Sequence, residues 1–206
     1  MTILSDRYAE AFSYALELHR NQPRKETEIP YVAHLMAVSA LVLEHGGTEI
    51  EAIAALLHDA VEDQGGPPTL AEIKRRFGDE VAAIVEACSD TDKVPKPPWR
   101  KRKEDYVAHV RRAPASVRLV SAADKLHNAR AILADYRVHG EALWSRFKGG
   151  KDGTLWYYRA LTEAYRLAEV EAAHERLAAD LDRVVSELEG LAAGPGSATP
   201  DSNGGV

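Results

Sequence analysis

Residues 53–63 read Ile-Ala-Ala-Leu-Leu-His-Asp-Ala-Val-Glu-Asp, an apolar helical stretch that ends on four ionisable side chains. Residues four apart in a helix lie over one another, so His58 and Glu62 share one face, and Asp59 and Asp63 share the adjoining face. Burying neighbouring carboxylates is costly unless a cation neutralises them. A divalent metal would resolve that cost, and imidazole with carboxylate ligands suits Mn, Fe or Zn. The alternative is a solvated helix end with a His-Asp ion pair.

Two further segments of the chain favour a metal site over the solvated helix end. The first leads through a Pro-Tyr pair to His34. The second, a helical stretch, places Asp124 and Asn128 on one face. Together with His58 and Asp59 the chain supplies two imidazoles and two carboxylates. Such a set is enough to hold one metal ion and to leave positions for water and substrate.

Apolar positions recur at helical spacing throughout the chain, and no β pattern of any length is present. Capping signals open three of the predicted helices: Ser5 as an N-cap, Thr48 with Glu51, and Thr69 with Glu72. We therefore expect an all-α fold, a compact globule of several helices. The predicted helices cover residues 5–20, 31–44, 48–63, 69–78, 80–87, 100–112, 116–139 and 155–188.

Three regions are expected along the chain. Residues 1–168 form the domain that carries the histidines and carboxylates above, and 169–189 form a helical extension, the end of a long C-terminal helix that could be a homodimer surface. The tail, residues 190–206, is rich in Gly, Ala, Ser and Pro and is predicted to be disordered. Loops are predicted at the proline-rich residues 90–98 and the glycine-rich residues 148–154.

The composition of the 206 residues is that of an ordinary globular protein, with 45% hydrophobic and 28% charged residues. The formal net charge of -6 argues against a general nucleic-acid binder. A single cysteine, Cys88, excludes an intrachain disulfide and favours a reducing compartment. We see no signal peptide, and the purest apolar run, residues 52–57, is far too short for a membrane span. The expected location is the cytoplasm, without nucleic-acid or membrane partners.

The negative charge is not spread evenly. Residues 169–206 hold eight acids and two bases, which accounts for the whole net charge. Residues 93–112 hold eight bases and two acids, and this basic segment could meet a phosphate-rich substrate. The alternative for the basic segment is a solvated face.

The order His, His-Asp, Asp resembles the HD phosphohydrolase superfamily, and within it the hydrolase domain of Rel/SpoT alarmone enzymes and the small alarmone hydrolases. The resemblance covers about residues 7–167. The matching pieces are Arg24-Lys25 before Pro30-Tyr31 and His34, residues 55–63, Phe77-Gly78-Asp79-Glu80-Val81, and Ala123-Asp124-Lys125-Leu126-His127-Asn128.

The resemblance implies an Mn²⁺-dependent enzyme that hydrolyses the 3′-diphosphate of guanosine tetra- or pentaphosphate to pyrophosphate and GDP or GTP. Glu62 would be the general base, and Asp63 would position the water or relay its proton. Arg24 would bear on Glu62 or on phosphate. The implied metal ligands are His34, His58, Asp59 and Asp124, and the implied nucleotide-side residues are Arg24, Lys25, Lys125 and Asn128.

Several alternatives stay open on the sequence. The same metal site could serve a phosphatase for a nucleoside monophosphate or for the 2′-phosphate of NADPH, and a silent module that binds a nucleotide or protein is a third hypothesis. His34 could be a packed histidine, Glu62 and Asp63 could only end a helix, and Lys25 could be a solvated lysine. His127 could be an alternative ligand, although we expect a structural role. Core packing rather than base stacking is expected of Tyr31, Trp99, Trp144, Trp156 and Tyr157.

Overall fold

The computed structural model describes residues 2–89, 95, 97–166 and 172–194, and this part of the chain is helical without a strand. The all-α prediction is confirmed. The helices are α1 (Asp6–Leu18), α2 (Val32–Glu44), α3 (Glu49–Leu57), α4 (Ala60–Asp63), α5 (Pro67–Cys88), α6 (Trp99–Val110), α7 (Ala115–His139), α8 (Gly150–Arg166) and α9 (Ala172–Ala193). A short 3-10 helix, Gly140–Arg146, connects α7 to α8. No described helix is long and apolar enough to pass through a bilayer.

Helices α3 and α7 form the centre of the molecule. Six consecutive α3 residues, Ala52 to Leu57, are fully buried, because α1, α2, α5 and α7 all pack around this helix. Helix α7 contacts α2, α3 and α5 and also the C-terminal pair α8 and α9. A side chain that projects from the middle of either helix is therefore held by packing on several sides.

Two of the three capping predictions are correct. The Ser5 hydroxyl accepts from the amide of Arg7, and Thr48 forms a reciprocal capping box with Glu51 at the start of α3. The Thr69 capping box is wrong. Helix α5 begins at Pro67, where a proline costs no hydrogen bond, and the Thr69 hydroxyl instead donates to the Gln64 carbonyl.

The helix predicted over residues 48–63 is interrupted after Leu57. The backbone opens at Asp59, with φ -97° and ψ -4°, and the short helix α4 follows. The helices predicted at 69–78 and 80–87 follow one another within α5, and the break predicted between them is present at Gly78, where φ is 86° and ψ is 174°. The interruption after Leu57 places the His58-Asp59 pair at a bend instead of in a continuous helix.

The C-terminal third differs most from prediction. Residues 150–154, predicted as loop, form the first turn of α8, and the single helix predicted over 155–188 is two helices that pair side by side. The Nε atom of Arg159 lies 3.1 Å from an oxygen of Glu189. In one straight helix these residues would be about 45 Å apart. Helix α9 runs to Ala193, so residues 190–193, predicted as part of a disordered tail, are helical. Residues 195–206 of that predicted tail lie outside the described residues.

Helix α9 buries its own apolar stripe within the chain. Four of its residues, Leu177, Leu181, Val185 and Leu188, have no exposed surface and belong to the same hydrophobic cluster as α3 and α7. From the sequence, we expect that this helix could be a homodimer surface. Within the described part of the chain, however, α9 has no exposed apolar face that a second copy could cover.

Aromatic residues bind α6 to α8. Trp99 lies against Gly149 and Gly153, and the guanidinium of Arg100 lies 3.2 Å from the ring centre of Trp156. The Lys103 ammonium lies 4.9 Å from the ring centre of Tyr157. These rings contact the protein itself, as the packing interpretation expected. Six of the nine residues of the loop predicted at 90–98, residues 90–94 and 96, lie outside the described residues.

Candidate metal centre and its surroundings

Three separate parts of the fold bring the four predicted ligand residues to one point. His34 projects from the first turns of α2, His58 and Asp59 lie at the bend between α3 and α4, and Asp124 projects from the middle of α7. His34, His58 and Asp124 are each at most 5% exposed. Such complete burial of titratable groups is rare in proteins unless they are paired or hold a metal.

The ligand atoms alternate around a common centre. Nε2 of His34 lies 3.2 Å from Oδ1 of Asp124 and 3.6 Å from Oδ2 of Asp59. Nε2 of His58 lies 3.1 Å from Oδ2 of Asp59 and 3.6 Å from Oδ1 of Asp124. Atoms that each lie about 2.1 Å from one ion are separated by about 3.0–3.4 Å in octahedral or tetrahedral sites. The observed separations therefore fit the coordination shell of a single divalent cation.

The two imidazoles are oriented by bonds on their outer nitrogens. Nδ1 of His58 lies 2.8 Å from the Ala55 carbonyl, to which it donates, so Nε2 is left with its lone pair directed inward. That Nε2 atom is buried and makes no well-directed hydrogen bond within the described part of the chain. Nδ1 of His34 lies 2.8 Å from Nδ1 of His127. His127 therefore contacts the outer edge of a predicted ligand, and burial lowers its pKa to about 4.

The electrostatics of the cluster require a positive charge at its centre. Burial alone would lower the pKa of His58, but the Asp59 and Asp124 carboxylates outweigh it and raise that pKa well above its usual value. Burial would raise the pKa of both carboxyls, yet His58 and His34, with Lys125 beside Asp124, hold them well below their usual range. In the absence of a metal, a proton on Nε2 of His58 would occupy the place that a divalent cation would take, and the donor set fits such an ion.

One partner of the metal site was missed on the sequence. The hydroxyl of Tyr31 donates to Oδ2 of Asp59 at 2.5 Å, the oxygen that faces both histidines. Tyr31 was expected only to pack, and it does pack, with its ring against those of His19 and His34. The available signals were its position three residues before His34 and its place in the Pro30-Tyr31 pair that carries part of the family resemblance.

The predicted hydrolytic carboxylates Glu62 and Asp63 both lie on α4, which follows directly after the His58–Asp59 bend. Both are exposed at the protein surface, in contrast to the ligands. The Asp63 carboxylate accepts from Nε2 of Gln22 at 2.8 Å. Although the residue is exposed, nearby protein atoms partly desolvate its carboxyl and raise the pKa of Asp63 despite that bond. Gln22 was not among the predicted site residues.

Three of the four predicted nucleotide-side residues contact Asp124 or a neighbour of it. Arg24 donates to Oδ1 of Asn128 at 2.9 Å, and the amide of Asn128 donates to Oδ1 of Asp124 at 2.5 Å. The Lys125 ammonium forms an ion pair with Oδ2 of Asp124. Arg24 was expected to bear on Glu62 or on phosphate, and the structure shows it on the amide of Asn128.

Lys25 differs from this group. Its side chain is 71% exposed, and its ammonium donates to the Arg146 carbonyl at 2.5 Å, in the segment between α7 and α8. The structure therefore brings Lys25 to the 3-10 helix, through the Arg146 carbonyl.

The model of the HD domain family matches residues 11–155, which include every one of these side chains. The chain belongs to the HD domain family. Among curated members, the guanosine-3′,5′-bis(diphosphate) 3′-pyrophosphohydrolase MESH1 of Xenopus tropicalis is 39% identical over 126 residues, which cover 60% of this chain and 68% of that protein. The bifunctional (p)ppGpp synthase/hydrolase SpoT of Escherichia coli is 33% identical over 132 residues, 61% of this chain and 18% of SpoT.

Two solved structures are similar to this chain in fold. A structure reported as a metazoan ortholog of SpoT that hydrolyses ppGpp superposes with a TM-score of 0.74 at 26% identity, over 93% of this chain and 99% of that one. A Listeria monocytogenes protein superposes with a TM-score of 0.67 at 28% identity, over 75% of this chain and 97% of that one. The predicted resemblance to the HD superfamily and to Rel/SpoT hydrolases is confirmed.

Proposed function

We propose that this protein hydrolyses the 3′-diphosphate of guanosine tetra- and pentaphosphate, releasing pyrophosphate and GDP or GTP. The observation that carries the proposal is the convergence of two imidazole nitrogens and two carboxylate oxygens within 3.1–3.6 Å, held by α2, the α3–α4 bend and α7. Similarity to MESH1 and SpoT supports the choice of substrate, because both carry names for this hydrolysis.

The metal site would be formed by His34, His58, Asp59 and Asp124. When bound, a divalent ion polarises a phosphoryl oxygen and lowers the pKa of a water molecule. Mixed imidazole and carboxylate donors suit Mn, Fe and Zn, and we propose Mn²⁺ on the family resemblance.

The chain's own acids and bases would handle the proton. Glu62 accepts the proton of the attacking water, and Asp63, held by the amide of Gln22, orients that water toward the phosphorus. Asp63 lies on the same short helix as Glu62, so the two carboxylates keep a fixed relation to the ligands one turn earlier. The water attacks in line the phosphorus that is bonded to O3′. The bond between O3′ and that phosphorus breaks, O3′ takes up a proton, and GDP or GTP and pyrophosphate are released.

Positive side chains on the other side of the cluster would hold the nucleotide. Arg24 presents a planar guanidinium beside Asn128, and Lys25 lies at the exposed border. The Lys125 ammonium is paired with the Asp124 carboxylate. We therefore assign Lys125 mainly to neutralising the charge of that ligand, and only secondarily to binding substrate. The expected location is the cytoplasm, and the expected partner is a small nucleotide.

The test is a substrate panel. Purified protein with Mn²⁺ is incubated separately with ppGpp, NADPH and nucleoside monophosphates, and the products are separated by anion exchange. GDP and pyrophosphate from ppGpp support the proposal. If orthophosphate is released only from another nucleotide, that nucleotide replaces ppGpp as the proposed substrate. If no nucleotide is turned over although metal is bound, the protein is a silent binding module.

A further inference from the structure

The segment between α1 and α2 turns back on itself and places its two ends side by side. The amide of Tyr31 donates to the carbonyl of Gln22 at 2.8 Å, and the amide of Arg24 donates to the carbonyl of Ile29 at 2.8 Å. Each end of the turn sends one side chain to the candidate site. Tyr31 contacts the predicted ligand Asp59, and Gln22 contacts the predicted hydrolytic carboxylate.

The Tyr31 end acts on the metal side. Its hydroxyl donates to Oδ2 of Asp59, which also lies 3.1 Å from Nε2 of His58 and 3.6 Å from Nε2 of His34. A hydrogen bond to a ligating oxygen fixes which lone pair faces the ion and the rotation of the carboxylate. The position of the Tyr31 ring therefore determines the orientation of Asp59.

The Gln22 end acts on the water side. An ionised carboxylate only accepts hydrogen bonds, so the atom of Gln22 at 2.8 Å from Asp63 is its amide nitrogen. The amide oxygen of Gln22 then accepts from Nδ1 of His19 at 2.7 Å and also from the amide of Gln64. The orientation of the Gln22 amide, and through it Asp63, is thus set by donors on the opposite side.

His19 contacts both ends. Its ring stacks on Tyr31 with centroids 5.2 Å apart and planes 16° apart, while its Nδ1–H donates to Gln22. The residue is 2% exposed, and burial lowers its pKa, in keeping with a neutral ring protonated on Nδ1. Its Nε2 is buried without a hydrogen-bond partner within the described part of the chain. Packing alone does not explain a buried polar atom left unsatisfied.

We propose that His19 is a positioning residue that holds the metal ligand Asp59 and the carboxylate Asp63 in one fixed arrangement. The ring sets Asp59 through Tyr31, and the Nδ1–H sets Asp63 through Gln22. The Asp63 half rests on the proposed function, whereas the Asp59 half requires only a metal at the site.

Two substitutions at His19 separate the two halves. His19→Phe keeps the ring and removes the donor, so turnover should fall about tenfold in kcat while Mn²⁺ affinity and KM stay within about twofold. His19→Asn keeps a donor near the Nδ1 position and removes the ring, so Mn²⁺ affinity should fall about tenfold, while kcat at saturating Mn²⁺ is nearly retained. Calorimetric titration with Mn²⁺ and initial rates measure the two effects independently.

Milder substitutions at the two ends of the turn, Gln22 and Tyr31, keep the proposal testable if a His19 variant misfolds. Gln22→Met at a half-buried position should reproduce the kcat loss, and Tyr31→Phe, which removes only one hydroxyl, should reproduce the loss of Mn²⁺ affinity. His139→Phe, at an exposed histidine in the last turn of α7, is the control and should change neither.

The proposal is overturned if the variants at His19, Gln22 and Tyr31 leave both kcat and Mn²⁺ affinity unchanged. It is also overturned if they lower kcat and Mn²⁺ affinity equally, together with the midpoint of thermal unfolding. If the wild type does not hydrolyse ppGpp, the proposed function fails, and kcat is followed on whichever panel nucleotide is turned over. If none is turned over, the Asp63 half falls with it. The Asp59 half is then decided by the Mn²⁺ titrations of His19→Asn and Tyr31→Phe.

Discussion

Nε2 of His34 lies 3.2 Å from Oδ1 of Asp124, although the two residues are 90 positions apart in the chain. Asp124→Asn removes the charge but keeps the shape. We expect Mn²⁺ affinity to fall by more than the roughly 10–100-fold typical of outer-sphere partners, because a direct ligand is lost. Calorimetry with Mn²⁺ measures it. Asp152→Asn, at an exposed acid in the first turn of α8, is the control, and an unchanged affinity for Asp124→Asn would remove Asp124 from the ligand set.

Glu62→Gln separates proton transfer from metal binding. Glu62 lies on the exposed helix α4, after the ligands. The amide cannot accept a proton, so turnover of ppGpp should drop by at least about 100-fold, the usual contribution of a general base, with Mn²⁺ affinity retained. Glu80→Gln, on an exposed face of α5, should behave as the wild type. A fully active Glu62→Gln protein would mean that another group takes the proton.

Lys125 stabilises the site when no metal is present. Its side chain is 16% exposed and paired with Asp124, and this carboxylate raises the lysine pKa well above its usual value although burial opposes it. Lys125→Met leaves a buried carboxylate with less positive charge. We expect the free energy of unfolding to fall by about 3–5 kcal/mol in EDTA and by less with Mn²⁺.

Denaturant titrations under the two conditions test the Lys125 effect. The matched control is Lys101→Met, whose lysine is 62% exposed and paired with Asp105 on the surface of α6. Its loss should change stability by no more than about 1 kcal/mol. Equal losses for Lys125→Met with and without Mn²⁺ would show that the lysine does not act through the metal site.

Two glycines give opposite responses to the same substitution. A Cβ at Gly149 would lie 2.6–3.0 Å from three atoms of the Trp99 ring, whereas a Cβ at Gly190, inside α9, would meet nothing within 4 Å. We expect Gly149→Ala to lower stability by about 1–3 kcal/mol through overpacking. Gly190→Ala should raise it by about 0.5–1 kcal/mol through helix propensity. Thermal unfolding of both variants checks the pair, and a stabilised Gly149→Ala would contradict the Trp99 contact.

Local signals predicted the parts of the fold that depend on local contacts. The caps at Ser5 and Thr48 were readable because the partner lies two or three residues away. The Thr69 signal failed because a proline at the first helical position of α5 moved the start upstream. Glycines 149, 150 and 153 suggested a loop, yet Gly149 and Gly153 are small because Trp99 packs on them, a contact 50 residues away.

The candidate site shows the same difference between features that depend on nearby residues and features that depend on distant contacts. The predicted ligands and carboxylates are marked on the sequence by motif spacing and family resemblance, and the structure brings the four predicted ligands together. Tyr31, Gln22 and His19 were not predicted at the site. The bonds of Tyr31 to Asp59 and of Gln22 to Asp63, and the contacts of His19 with Tyr31 and Gln22, form only after the segment before α2 turns back. The pairing of α8 with α9 could not be predicted from the sequence either. The helical pattern of apolar residues is continuous there, so it does not show where the chain reverses direction.

The cover that α9 forms over α7 has a practical consequence. The residues matched by the HD domain model end at 155, yet Leu177, Leu181, Val185 and Leu188 of α9 close the apolar face of the helix that bears Asp124. A protein trimmed to the matched residues would keep every candidate site residue and would present that face to water, which promotes aggregation. The residues matched by the HD domain model are therefore fewer than the residues that we expect a stable purified protein to need.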